Sequence, residues 1–337
     1  MKKLLLPLLL FTALASFAQT DTTAFPTFED VDSKPVKRYA TNKVLYTTPN
    51  RFISVGYEYQ TAHDIQNTQF LLRESRISRA SGPRIAISAP VIARTKAILN
   101  VNAFYWRTSY QSPGPPTHPF LSSLNSRGLH SAGIGATLFK PLNENNFFIV
   151  QANVDANILQ EQNTSLTGQA LTYSATVVYG WKKSDSLMWG LGAARTYRLG
   201  RLIYVPVLMY NRTFNDRWGV EVLLPARAAV RRNFNPKTLA TLGFELEGNQ
   251  YAWYRAGLVG APSQTGLQFL QRGEMKPRLN FERNIAGFWW LAVQAGVRVN
   301  GRFVVVDQYD GDERREVITT TLGNPFYFNI SLNLVSL

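Results

Sequence analysis

The sequence ends with the stretch NPFYFNISLNLVSL, Asn324 to Leu337, and its pattern decides the fold class. Apolar and polar side chains alternate along it, which is the period of a β-strand with one apolar and one polar face. A soluble protein turns the apolar face towards a core, whereas a membrane barrel turns it towards lipid and the polar face towards its lumen. Other parts of the chain distinguish the two cases. The alternating apolar positions are Phe326, Phe328, Ile330, Leu332 and Leu334.

The amino terminus is predicted to be a secretory signal. Two lysines precede an apolar run from Leu4 to Phe17, and small residues suited to a signal peptidase lead up to Ala18. We therefore expect residues 1–18 to be a signal peptide that is cleaved near Ala18. The run is too short to span a bilayer as a helix, and no later stretch is longer.

Composition excludes several classes of function. The chain contains no cysteine, which excludes disulfides, cysteine-ligated metals and a lipidated cysteine anchor. The net charge is +14, but the lysines and arginines are scattered rather than arranged in one stripe. We expect no nucleic-acid partner for an exported chain of this kind. The expected anionic partner is the lipid of an outer membrane, including lipopolysaccharide.

The mature chain divides into two parts. Residues 19–50 are polar, contain three prolines and show no sustained period, which predicts an extended N-terminal segment, either a plug or a periplasmic extension. Residues 51–337 are predicted to form one β-structure. Its clearest alternating runs, at 147–159, 170–182 and 287–300, exceed ten residues, against about five or six for a typical strand. That length suits a tilted strand that crosses a bilayer.

The connections between the runs indicate how the strands are arranged. About fourteen runs are predicted, with twelve as the alternative count. Short turns, such as 214–216 and 248–250, alternate with mostly longer loops, such as 228–236 and 261–275. This asymmetry is typical of an all-β fold, a transmembrane antiparallel up-and-down β-barrel. A secreted β-sandwich is the alternative.

The tryptophans favour the barrel over the sandwich. Six of the seven lie close to predicted short turns, as expected for rings gathered in an interfacial girdle. A packed core would spread such large rings through its depth. The predicted girdle consists of Trp181, Trp189, Trp218, Trp253, Trp289 and Trp290.

The export signal, the cysteine-free chain, the alternating strands and the terminal strand together resemble a Gram-negative outer-membrane β-barrel. The resemblance covers residues 51–337 and is to the domain-of-unknown-function barrels common in Bacteroidetes. It implies an outer-membrane location and recognition of the last strand by the barrel assembly machinery. This strand departs from the usual signal, because it lacks a terminal aromatic residue and its nearest glycine is Gly323.

No catalytic constellation is predicted, so the chain is not expected to be an enzyme or to hold a cofactor. His63 and His118 lie in predicted loops. His130 and Ser131 are neighbours on a strand, where adjacent side chains point to opposite faces and cannot share a proton directly. The acidic stretch Asp307 to Glu313 lacks calcium-loop spacing and is interpreted as a solvated turn, so no metal is expected.

Arginines beside two predicted long loops are candidate contacts for lipopolysaccharide phosphates, which guanidinium groups can bind bidentately. Solvated loop charge is the alternative interpretation. These residues are Arg73, Arg76, Arg79 and Arg84 around one loop, with Arg231 and Arg232 around the other.

The polar faces of the strands predict the lining of a lumen. Fourteen strands enclose more space than side chains alone fill. The leading hypothesis is therefore a channel or transporter for small solutes. One alternative is a hydrophobic-solute transporter gated by an N-terminal hatch, and another is a non-transporting structural, lipid-binding or adhesive barrel. The sequence does not indicate the oligomeric state. The predicted lining is Gln151, Asn153, Asp155, Asn157, Thr172, Ser174, Thr176, Glu245, Gln294, Arg298, Asn329, Ser331 and Asn333.

Overall fold

The computed structural model describes residues 39–67, 72–113, 119–159, 168–255, 266–308 and 314–335. The predicted signal peptide and residues 19–38 lie outside the described residues. No helix in the described part of the chain has the length and apolar content needed to cross a membrane.

Strands dominate the described residues. In chain order they are β1 (Arg51–Gln60), β2 (His63–Asn67), β3 (Leu72–Ile77), β4 (Arg79–Arg94), β5 (Ala97–Gln111), β6 (Leu129–Pro141), β7 (Asn146–Leu159), β8 (Leu171–Ser184), β9 (Leu187–Thr196), β10 (Ile203–Thr213), β11 (Trp218–Leu224), β12 (Arg227–Asn235), β13 (Thr238–Arg255), β14 (Gly266–Ala286), β15 (Trp289–Val297), β16 (Val299–Gln308), β17 (Arg314–Leu322) and β18 (Phe326–Val335). The helix α1 (Pro119–Ser126) and a 3-10 turn (Gly168–Ala170) interrupt them.

Fourteen of these strands form a closed antiparallel ring. The ring runs from β1 to β4, then in sequence from β4 to β15, and from β15 to β18. It closes where β18 pairs with β1, for example at Tyr57 opposite Ile330. The prediction of an all-β, up-and-down barrel of fourteen strands is confirmed.

The two faces of the wall differ as the terminal strand predicts. On β18, Phe326 and Ile330 are 61% and 57% exposed on the outside of the ring. Tyr327 and Asn333, which have the other parity on the strand, point inwards and are fully buried. The apolar face of the opening stretch therefore looks outwards, and its polar face lines the interior.

Two predicted boundaries are wrong, and the two errors cancel in the strand count. The predicted loop at 228–236 is β12, and the predicted turn at 248–250 lies inside the continuous strand β13. The sequence Gly248-Asn249 has turn chemistry but here continues a strand. The true connection between β11 and β12 is the tight pair Pro225-Ala226, which contains no glycine and gave no strong turn signal.

The strands outside the ring build a cover over one end of the barrel. Residues 268–275 of β14 pair with β16, and pairing continues through β17 and β2 to β3. The β13–β14 arm, residues 248–255 and 266–273, reaches the far wall, where Ala252 and Trp253 pair in parallel with β7. We call β2, β3, β16, β17, α1 and this arm the cap.

The cap has an apolar core of its own. Phe120 of α1 packs against Trp253 of the arm and Phe303 of β16, with ring centroids 5.2 Å and 5.9 Å apart. Ile65, Leu270 and Val305 join this cluster and are at most 3% exposed. Burial of this much apolar surface stabilises the cap as a packed layer rather than as a set of loose loops.

The arm leaves the wall at a pair of glycines. Gly248 and Gly273 lie opposite each other, and the backbone of the β9–β10 connection packs directly on them. A Cβ atom on Gly273 would lie 2.6 Å from the carbonyl carbon of Leu199. Gly200 in the same connection has φ +79°, a conformation that favours glycine.

We therefore expect Gly273→Ala to lower the free energy of unfolding by about 1–3 kcal/mol, the typical range for overpacking a close contact. Gly301→Ala is the matched control, because its Cβ would meet only one atom, at an ordinary 3.5 Å. Urea unfolding of both variants in detergent micelles measures the difference. Equal stability of the two would contradict the close packing at Gly273.

Candidate functional site: the barrel lumen

The sequence-predicted lining residues lie on the inward side of the wall, opposite the exposed apolar side chains. On β7, Asn157 is completely buried and hydrogen-bonds both Ser131 and Thr172, with distances of 2.6 Å and 2.9 Å. Glu245 on β13 pairs with Arg278 of β14. Gln294 lines an internal cavity together with Arg278. The lumen is therefore polar, and it contains more charge than its predicted lining suggests.

An ion-pair network fills the lumen beneath the cap. Its centre is Arg298, which is fully buried and contacts Glu58 and Glu274, with Glu247 Oε1 at 3.4 Å. We call the following seven residues the lumen network: Glu58, Arg84, Glu247, Arg272, Glu274, Lys276 and Arg298.

Each carboxylate of the network meets at least two cations. Arg84 Nη2 lies 2.9 Å from Glu58 Oε1. Lys276 Nζ lies 3.6 Å from Glu58 Oε2 and 2.7 Å from Glu247 Oε2. The ring of Tyr327 lies against Lys276 and Arg298, at 4.9 Å and 5.3 Å from its centroid. The network therefore lies along six neighbouring strands of the ring, β13, β14, β15, β18, β1 and β4, on one side of the lumen.

Most of this network was missed by the sequence interpretation. Glu247 and Glu274 adjoin the wrongly predicted turn at 248–250 and loop at 261–275, so their side chains were not expected inside the wall. Glu58 shares the parity of Ser54 and Gly56 on β1, and that alternation could have assigned it to the lumen.

The N-terminal segment, residues 39–50, crosses the opposite end of the barrel. Val44 is 3% exposed and packs with Phe139, Phe147 and Met188 from the inner wall. The neighbouring Leu45 is 55% exposed. Ala40 is 6% exposed and belongs to the same cluster, so two buried side chains hold the segment against the inside of the wall.

Polar contacts hold the rest of the N-terminal segment. Lys182 donates to the carbonyl of Lys43 at 3.0 Å, and Thr213 donates to the carbonyl of Leu45 at 2.7 Å. Thr48 donates through both its amide and its hydroxyl to Glu221 Oε1, at 3.0 Å and 2.9 Å. The segment is thus bound to β8, β10 and β11 by side chains that point into the lumen.

Cavities remain between the two closures. A cavity of about 470 Å³ lies beside the N-terminal segment and is lined by Arg231, Arg278 and Asn280 among others. A second, of about 330 Å³, lies nearer the cap and is lined by Asn102, Asn153 and neighbouring polar groups. The larger cavity is within the size range of small-molecule sites.

The tryptophans predicted as a girdle divide into two groups. Trp181, Trp189, Trp218 and Trp289 lie on the outer face, near the end that holds the N-terminal segment. Trp181 and Trp189 stack with their centroids 4.4 Å apart. The prediction is wrong for Trp290, which points inwards beside Leu239, and for Trp253, which lies in the cap core. The misplaced turn at 248–250 explains the error at Trp253.

The arginines predicted to meet lipopolysaccharide are also divided. Arg76 and Arg79 are exposed at the cap end, whereas the side chain of Arg73 lies outside the described residues. The prediction is wrong for Arg84, which turns into the lumen network, and for Arg231, which is buried against Glu221 at 2.5 Å.

Arg232 points outwards but at the opposite end from the one predicted. Its guanidinium lies over the rings of Trp218 and Phe234, at 5.1 Å and 5.0 Å. The cause of the error is the assignment of β12 to a loop. Such a stacked cation beside apolar rings fits the interfacial edge of the outer belt.

The candidate catalytic and metal residues are not brought together. His130 bonds Tyr105 at 3.0 Å, and Ser131 bonds Asn157 on the other face of the wall. His118 and most of the acidic stretch that follows Asp307 lie outside the described residues. Within the described ranges, no cluster of three metal-ligating side chains occurs.

His63 is buried within the cap. Its Nδ1 lies 3.0 Å from the carbonyl oxygen of Thr61. Burial lowers the pKa of His63 below its usual value of 6.5, and the charge of Arg272 adds to the effect, while the Thr61 bond and the carboxylates of Asp64 and Glu274 oppose it. The neutral imidazole is therefore the form that suits the closed cap.

Comparisons with known proteins give one family and a set of distant structures. Residues 118–299 match the family model described as "Domain of unknown function (DUF6268)". No curated protein matches the sequence.

The solved structures similar to this chain are barrels. An outer membrane channel from Pseudomonas putida F1 is 10% identical with a TM-score of 0.40, over 88% of this chain and 100% of that one. A Pseudomonas aeruginosa FadL homologue is 8% identical with a TM-score of 0.40, over 85% and 91%. The Pseudomonas putida toluene transporter TodX is 9% identical with a TM-score of 0.31, over 88% and 95%. Similarity at this level does not transfer a function to this chain.

Replacing Arg298 with methionine should be strongly destabilising. It removes the one cation that all three network carboxylates share, so that Glu247 keeps only Lys276 and Glu274 keeps only Arg272, and breaking a buried pair typically costs about 3–5 kcal/mol. Arg302→Met is the matched control, because its pair with Glu316 is largely exposed and should contribute only about 0–1 kcal/mol. Unfolding in urea, followed by tryptophan fluorescence, compares them. Similar losses in both variants would mean that the lumen network does not stabilise the barrel.

Acidification should loosen the cap through His63. Because its pKa is lower in the folded cap than in an open one, the open form binds the proton more tightly. The contribution of His63 is therefore fully present above about pH 6.5 and is lost as the pH falls below it. Amide hydrogen exchange of residues 63–66 and 318–322, corrected for intrinsic rates, should show less protection at pH 5 than at pH 7.5. The variant His63→Gln should remove this difference, and its persistence would assign the effect to another group.

Proposed function

The chain belongs to the family described as Domain of unknown function (DUF6268), and because that description carries no activity, we propose a function from the geometry. The protein is a gated channel or transporter for small solutes. The observation that supports the proposal is a closed fourteen-strand wall, apolar outside and polar inside, with cavities of about 470 Å³ and 330 Å³ between two removable closures.

The two closures are built differently from the wall. The N-terminal segment is bound by two buried side chains, Ala40 and Val44, and by hydrogen bonds. The cap is a separate layer with its own apolar core. The N-terminal segment can therefore move without breaking the hydrogen-bond ladder of the ring, which is what gating of a barrel requires.

The lumen network favours a second candidate, a non-transporting structural barrel with a filled lumen. Buried ion pairs beneath the cap, such as Arg298 with Glu58, occupy part of the lumen. The polar character of the cavities argues for polar rather than hydrophobic solutes. A hydrophobic-solute transporter with an N-terminal hatch is the third candidate, and it shares the movable segment with our proposal.

The proposed setting is the outer membrane of a Gram-negative bacterium, of the Bacteroidetes type that the sequence resembles. The exposed apolar belt and the outward tryptophans support it. Insertion by the barrel assembly machinery, contact of Arg76 and Arg79 with lipopolysaccharide, and cleavage near Ala18 remain predictions that accompany this setting.

Val44→Asp tests the gate. A carboxylate placed against Phe139 and Phe147 should displace the N-terminal segment, since burying an unpaired charge is strongly unfavourable. Leu45→Asp is the matched control at a neighbouring exposed position. Single-channel conductance in planar bilayers should be absent in the wild type at pH 7.5 and present in Val44→Asp. It should be greatest at pH 5, where the cap is loosened as well.

Two outcomes would contradict the proposed function. A Val44→Asp protein that keeps its heat-modifiable migration but stays silent at both pH values would favour the structural barrel. Equal conductance in wild type, Val44→Asp and Leu45→Asp would mean that the N-terminal segment does not close the lumen.

A further inference from the structure

The cavity beside the N-terminal segment has an excess of positive charge. Three ion pairs lie in or beside its lining, and each carboxylate in them is matched by an arginine. They are Arg231 with Glu221 at 2.5 Å, Arg51 with Glu282 at 2.5 Å, and Arg278 with Glu245. The first two carboxylates also accept other hydrogen bonds, from Thr48 and from Asn280. In each of these two carboxylates, Oε1 is already shared between an arginine and a hydrogen-bond donor.

Two more cations line the same cavity. Lys43, from the N-terminal segment, and Arg227, from β12, form no ion pair with any described residue. Arg227 has the same inward parity as Arg231, and its side chain is exposed to the cavity. The cavity thus has two cations more than its neighbouring carboxylates neutralise.

Lys43 is partly buried where it lines this cavity. Burial lowers the pKa of Lys43, and the more distant charge of Glu221 only partly opposes this effect. A charged group taken out of water needs a partner of opposite sign. Lys43 lies on the N-terminal segment and Arg227 on the wall, and both line the cavity.

We propose that this cavity is a binding site for a small organic anion, with a carboxylate or phosphate group held between Lys43 and Arg227. The inference rests on the proposed function and specifies its solute class. Guanidinium and ammonium groups suit such ligands, as a bidentate fork and a point charge respectively. The volume of about 470 Å³ leaves room for the rest of a small solute, and Thr241 and Gln294 supply neutral hydrogen-bonding groups.

The position of the site links binding to gating. Lys43 is carried by the N-terminal segment, and its carbonyl accepts a hydrogen bond from Lys182 of the wall. An anion that bridges Lys43 and Arg227 joins the segment to β12 at a further point. Binding therefore stabilises the closed position of the segment until the ligand leaves.

The test is binding to the full-length protein in detergent, measured by isothermal titration with succinate and, separately, with inorganic phosphate. The double variant Lys43→Met/Arg227→Met should bind the preferred probe at least tenfold more weakly than the wild type. Arg227→Lys should retain part of the affinity, because it keeps the charge but loses the fork. Arg302→Met, which changes an arginine outside this cavity, should bind as the wild type does.

The outcomes separate this inference from the proposed function. Binding of either probe that falls in the double variant but not in Arg302→Met supports the site, even if every bilayer is silent. Equal binding by wild type and double variant overturns it, as does failure of the wild type to bind either probe at millimolar concentration. If the wild type binds neither probe but Val44→Asp conducts, the channel proposal is supported and the anion site is rejected. Preference for succinate or for phosphate identifies the ligand group.

Discussion

Closure of the ring is the constraint on which the rest of this structure depends. A sheet with a free edge leaves a row of unpaired backbone groups, and within hydrocarbon each such group is costly. Pairing of β18 with β1 removes that edge. Once the ring is closed, side chains can only point outwards or inwards, and a period of two along every strand follows. The alternation of the last fourteen residues is a direct product of this constraint.

Closure also leaves a wide interior that the chain must fill. A ring of fourteen strands is too wide for its own side chains to fill with apolar packing. The chain fills part of the width with charge, and Arg298 and Glu58 meet there from strands that are separated only by β18. It covers one end with the apolar cap and crosses the other with residues 39–50. The same contacts therefore stabilise the barrel and obstruct its lumen. A solute can pass only if some of these contacts are broken.

The sequence predicted the wall well and the contents of the lumen poorly, for a physical reason. Period-two alternation is a local signal, so the barrel and the inward side of residues such as Asn157 and Asn333 could be predicted, whereas the strand number was right because two errors cancelled. The cap depends on β13 and β14 continuing beyond the wall, where Gly248 and Asn249 imitate a turn. That one misreading moved Trp253 into a girdle and kept Glu247 and Glu274 out of the lumen. Ion pairs between strands that are far apart in the sequence produce no periodic pattern, and only the fold brings the paired residues together.

The pairing between β1 and β18 extends beyond the wall into the cap. The ladder between β1 and β18 continues past the ring through Thr61 and Phe326, where the backbone bond is 2.9 Å, to the pairing of β2 with β17. Segments that are very far apart in the sequence, β1 and β2 with β18 and β17, therefore pair over nearly the whole height of the molecule. Such long-range pairing is slow to form, because the chain must first be held in a very large loop. The cap can consequently be completed only after the barrel has closed, and this seam should be the last part to assemble.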